Sequence, residues 1–129
     1  MTAAQAAARP RMKVTTRGAV LLLARGLIAL LFVLAGPAKA LGPAPYLAHM
    51  AQVGVPGVLL WGVIALELGA GLAVLLGWRL RWSAGALAVF CIATALIFHT
   101  HFADKAERTS FFKDLAISGG LMTLAASAP

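Results

Sequence analysis

The chain has 129 residues, of which 61% are hydrophobic and only 12% charged, with a mean hydropathy of +0.90. A water-soluble core of this size does not need so much apolar sequence, so the composition points to a small membrane protein with one domain. A net charge of +7 would suit a nucleic-acid binder. The basic residues, however, sit at the edges of apolar runs rather than on one soluble face, which excludes that class.

Residues 1–17 read as a disordered cytoplasmic tail, Ala/Gln-rich from Thr2 to Ala8 and then basic through Arg9, Arg11, Lys13 and Arg17. The first apolar stretch, Gly18 to Gly36, is long enough for one span of the hydrocarbon core. The basic start, apolar run and Ala38-Lys39-Ala40 follow the export pattern in outline. The run is too long and the cleavage point too late for a signal peptide, so an uncleaved first helix is expected. Arg25 interrupts this helix on the stripe that carries Gly18, Ala29 and Gly36, where a neighbouring helix can approach.

Gly42-Pro43-Ala44-Pro45 breaks the chain, and Leu47, Met50 and Val53 then recur at helical spacing until Gly54 and Pro56 stop them. The segment Tyr46 to Val53 is therefore expected to be a short interfacial helix packed on the end of the bundle. The second span is Gly57 to Gly77. Its small residues Ala65, Gly69, Ala73 and Gly77 recur every four positions, with Gly62, Ala70 and Gly71 beside them, and mark a face for close helix packing. Glu67 falls on another face of the same helix. An ionised carboxylate at bilayer depth requires a partner or a function, and Arg25 is the expected partner, at matching depth in the first span.

Arg79 and Arg81 fill a tight link to the third span, Trp82 to Phe98. A fourth, shorter span is read from Phe111 to Ala126, beginning beside Lys113 and Asp114. Trp61, Trp78, Trp82 and Tyr46 lie near span ends, as interfacial aromatics do. With Arg79 and Arg81 in one link and only Lys39 in the first long loop, the positive-inside rule places both termini in the cytoplasm. The expected fold is thus all-α, a four-helix transmembrane bundle over residues 18–129.

The remaining chemistry is sparse. Cys91 is the single cysteine, so this chain alone carries no disulfide and no Cys-x-x-Cys centre; a small buried apolar role is expected for it. His99 and His101, two residues apart, face nearly opposite sides of a helix and are not expected to hold a metal. No nucleotide, flavin or hydrolase motif is present, so the chain is not expected to be catalytic alone.

Leu66-Glu67-Leu68-Gly69-Ala70-Gly71-Leu72, Phe98-His99 and the run from Phe112-Lys113-Asp114 to Gly119-Gly120-Leu121 resemble the DoxX family of small bacterial membrane proteins. Arg25 and Val53-Gly54-Val55-Pro56 match the same pattern. The resemblance implies a four-helix bundle in the inner membrane. Its relatives include subunits of membrane oxidoreductases, among them thiosulfate-oxidising enzymes that deliver electrons to quinone, and components of oxidative-stress complexes.

Three roles follow as expectations. The first is an accessory or scaffold subunit in which Arg25, Glu67, His99, Lys113 and Asp114 form a buried polar network. The second is a quinone-interacting subunit of an oxidoreductase, with Arg25 or His99 bonding a quinone carbonyl and Glu67 relaying protons. The third is a carrier of a small hydrophobic molecule anchored by Glu67. Each implies a lipid bilayer as surroundings and leaves room for a partner oxidoreductase subunit or a second copy of the chain, with no nucleic acid.

Overall fold

The computed structural model describes residues 2–3 and 15–129. The expected tail, with Arg9, Arg11 and Lys13, lies almost wholly outside the described residues. Among the described residues there are five main helices and no strand: α1 (Thr16–Leu41), α2 (Ala44–Gln52), α3 (Leu59–Leu76), α4 (Leu80–Phe98) and α5 (Lys105–Ser127).

Helix α1 starts where the Thr15 hydroxyl accepts the Gly18 N–H at 3.0 Å, a side-chain cap for an otherwise orphan donor. It does not stop at Gly36. It continues through Pro37 to Leu41, and the Gly42 N–H closes it on the Ala38 carbonyl. Proline removes one intrahelical bond, but in a membrane helix the neighbours compensate and the helix persists. The extra turn carries Ala38-Lys39-Ala40 as helix rather than loop, which decides where Lys39 goes.

Helix α2 is the short helix expected between the first two spans, with Met50 buried. Gly54 ends it at φ +76 while the Val55 N–H reaches the Met50 carbonyl. Helix α3 ends on Gly77, φ +72, with the Trp78 N–H bonded to the Ala73 carbonyl at 2.8 Å, a left-handed C-terminal cap that glycine adopts without strain. Three residues then lead into α4. Asp104 caps α5 by accepting the Ala106 and Glu107 N–H groups, and Glu107 in the first turn complements the helix dipole.

The four long helices close a ring: α1 packs on α3, α3 on α4, α4 on α5, and α5 on α1. The shared core is Ala29, Phe32, Val74, Ala84, Leu87, Ala88, Cys91, Leu121 and Leu124. Cys91 is buried there as a small apolar side chain. Outside the ring, Leu23, Leu27, Leu30 and Leu34 of α1, Leu72 and Leu76 of α3, and Val89 and Leu96 of α4 are exposed. An apolar exterior of this extent is the face of a protein dissolved in lipid.

Helices α1, α3 and α4 are long and apolar enough to cross a membrane. Helix α5 is not among them, although it runs for 23 residues. Lys105, Glu107, Arg108, Lys113 and Asp114 all fall in its first ten residues, so the structure supports three spans where the sequence suggests four.

The α1–α3 contact is tight, but not on the expected stripe. A Cβ at Gly62 or Gly69 would meet nothing within 4 Å, and Ala65 is exposed. The close approach runs through Gly36 against Leu68 and Ile64, and through Gly71 against Phe32 and Val33. That is the face of α3 bearing Leu60, Glu67, Gly71 and Val74, so the acid lies in the helix interface rather than away from it.

Candidate polar site between the helices

Glu67 stands eight residues into α3, about 12 Å from its start at 1.5 Å per residue, and is 2% exposed. Lys39, near the end of α1, points its chain back along the interface and places Nζ 2.5 Å from Glu67 Oε1. The ammonium also lies 5.3 Å from the centre of the Tyr46 ring, so α2 contributes a face to the same cation. A buried carboxylate is tolerable here because a full positive charge meets it directly.

A second group lies at the end of α4. His99 Nδ1 is 3.3 Å from Glu107 Oε2, and its Nε2 is 3.7 Å from Asp114 Oδ2. Glu107 and Asp114 are seven residues apart, two turns along one face of α5, which is why one imidazole reaches both. The His49 ring of α2 meets Phe98 edge-on at 5.2 Å and His99 at 6.1 Å. Helix α2 touches both groups, with Tyr46 beside Lys39 and His49 beside His99, so they form one polar neighbourhood drawn from five helices. Among the described residues no group of three His, Cys, Asp or Glu is placed to hold a metal ion.

Of the residues singled out from the sequence, Glu67, His99 and Asp114 come to this neighbourhood and Arg25 and Lys113 do not. The antiparallel α1–α3 register pairs Gly36 with Leu68 and Phe32 with Gly71, which carries Arg25 down to Gly77, where a Cβ would stand 2.8 Å from its Nη1. Arg25 is thus remote from Glu67, and the expected Arg25–Glu67 pair is replaced by Lys39–Glu67. Lys113 is exposed on the outer face of α5, beside Arg108, Thr109, Phe112 and Ala116. Sequence reasoning missed Lys39, Glu107 and His49. The available signal for Lys39 was Ala38-Lys39-Ala40-Leu41, a good helix-forming continuation past Pro37.

Comparison with known proteins identifies the family of the chain. The DoxX family model matches residues 20–100. The chain is 44% identical over 108 residues to the inner membrane protein YqjF of Escherichia coli (strain K12), covering 84% of this chain and 83% of that protein. It is 30% identical over 121 residues to the inner membrane protein YphA of the same organism, covering 88% and 86% respectively. No solved structure gives a significant match. On the extent of the family match and of both relatives, the chain is a multi-pass inner-membrane protein of the DoxX family.

Proposed function

We propose that this protein is an accessory or scaffold subunit of a membrane-associated redox or stress-related complex, built as a four-span bundle with both termini in the cytoplasm. The observation that carries the reading is the Lys39–Glu67 pair. Its carboxylate is almost wholly buried, engaged by its own chain's ammonium and set beside a close helix contact, at Gly36. Such a pair fixes which helices meet and in what register, a role of specificity rather than turnover. The orientation is supported by Arg17, Arg79 and Arg81 at one end, while Lys39 near the other is neutralised by Glu67.

The test is affinity purification in a mild detergent, followed by identification of proteins that remain bound. Recovery of a redox or stress-related membrane protein in defined stoichiometry is expected. A chain that always purifies alone removes the scaffold reading.

A second reading, a quinone-interacting subunit, is favoured by His99. Its imidazole stands between two carboxylates beside the rings of Phe98 and His49, a place where a carbonyl could be bonded and a proton passed on. Chromatography of the lipids extracted with the purified protein checks it: quinone retained by wild type and lost in His99→Ala supports the reading, and none in either refutes it.

A further inference from the structure

The chain has four carboxylate side chains, and every one is accounted for away from the Arg79 turn. Glu67 meets Lys39, Glu107 and Asp114 flank His99, and Asp104 caps α5. At the opposite end of the bundle stand Arg17, Arg25, Arg79 and Arg81 with no acidic side chain among them. Arg25 is half-buried, its guanidinium laid against Gly77, and no carboxylate or hydrogen-bond acceptor meets it among the described residues. Gly77 also lines an open groove of about 350 Å³, whose other walls are Arg79, Leu80, Arg81, Trp82, Ala128 and Pro129, and Arg25 adjoins it through Gly77.

Two features show what kind of anion suits this groove. Trp82 and Trp78 are 74% and 63% exposed, with Leu80 between them, so the rim is apolar and aromatic, at home at the level of lipid headgroups rather than in open water. Arg79 holds a left-handed backbone at φ +46, a conformation unfavourable for a residue with a Cβ, and thereby keeps an arginine in a turn that glycine would occupy without strain.

We propose that this end of the protein binds the phosphate of an anionic phospholipid, with Arg25 and Arg79 on the phosphate, Arg81 at the groove wall, and Leu80 and Trp82 against the glycerol and upper acyl chain. Guanidinium groups match phosphate oxygens bidentately, and a basic recess between membrane helices is a recognised headgroup geometry. The inference needs only insertion in a bilayer and stands apart from the scaffold and quinone readings.

The experiment follows thermal unfolding of the purified protein in detergent during titration with phosphatidylglycerol, with phosphatidylcholine, and with inorganic phosphate, and counts bound lipid by native mass spectrometry. Saturable stabilisation by phosphatidylglycerol alone is expected. Arg25→Gln and Arg79→Gly should each weaken its apparent affinity about fivefold, the equivalent of one arginine near an anionic surface. Arg79→Gly guards against misfolding, because glycine suits φ +46 and the lipid-free protein should unfold no earlier than wild type. Lys113→Gln, in the groove on the far side of α5, should keep the full response. Equal stabilisation by phosphatidylcholine, an equal response to inorganic phosphate, or an undiminished response in both arginine variants would overturn the proposal.

Discussion

Lys39 meets Glu67 one turn beyond a close approach of α1 to α3. Gly36, three residues before Lys39, would place a Cβ only 3.3 Å from the Leu68 backbone nitrogen, and Leu68 follows Glu67 directly. The ion pair and the tight glycine contact are therefore one structural unit. The glycine lets the backbones approach, and the approach brings the ammonium within reach of an acid that water does not solvate. Charge and packing then select the same register.

Removing either partner leaves the other buried or half-buried without compensation. Lys39→Met or Glu67→Leu alone should cost about 3–5 kcal/mol by analogy with buried pairs in soluble proteins, and the double variant should recover most of it. Thermal unfolding in detergent over the complete double-mutant cycle measures the coupling. The Arg25→Leu and Glu67→Leu changes, by contrast, should add independently. Strong coupling in that second cycle would mean that the arginine and not the lysine neutralises Glu67.

The glycines of α3 should separate sharply under substitution. A Cβ at Gly71 would meet the Phe32 Cβ at 3.0 Å and the Val33 backbone nitrogen at 3.4 Å, whereas at Gly69 it would meet nothing within 4 Å. Gly71→Val should therefore destabilise by about 1–3 kcal/mol through overpacking, while Gly69→Val should be near neutral. Equal losses at both positions, measured as midpoint temperatures in detergent, would contradict the α1–α3 interface described here.

That contrast also marks what hydropathy can and cannot carry. The ends of α3 and α4 are legible because Gly77, Trp78, Arg79 and Arg81 punctuate two apolar runs, and the cost of a carboxylate in the first run picks out Glu67 without any structure. The rotation and register of one helix against another are not legible in the same way. Gly69 and Gly71 look alike in sequence, yet only one faces α1. The partner of Glu67 is hidden for a further reason: Pro37 reads as a helix stop, so Lys39 looks like a loop residue, whereas a membrane helix keeps going through the proline. His99 and Asp114 are visible as polar residues near span ends, but the His99–Glu107 contact depends on α5 beginning at Lys105, six residues before the apolar run that suggests it.

His99 ties α4 to α5 through two carboxylates. His99→Ala should lower stability by about 1 kcal/mol, the net worth of a hydrogen bond at a partly exposed site. Its effect on partner recovery or bound quinone separates the functional readings. A loss of stability with partner and ligand retained would make the imidazole a clasp between helices. Loss of the partner or of quinone at nearly unchanged midpoint temperature would make it part of a binding site.

The course of α5 through the membrane can be read from labelling. Its first ten residues hold five charges, yet the inward ones, Glu107 and Asp114, are matched by His99, and the outward ones, Arg108 and Lys113, have long stems that can snorkel towards the headgroups. Beyond Asp114 the helix has no further charge, and Ser118, Leu121 and Leu124 are buried against the bundle. In a Cys91→Ala background, single cysteines at Gly42 and Glu107 should therefore react with an impermeant thiol reagent from outside the inner membrane, and cysteines at Ala7 and Arg79 should not. Because α5 returns along α4, a cysteine at Ala128 should share the protection of Arg79. Reaction at Ala128 without permeabilisation, with Glu107 still accessible, would leave α5 lying on the outer surface and reduce the protein to three spans.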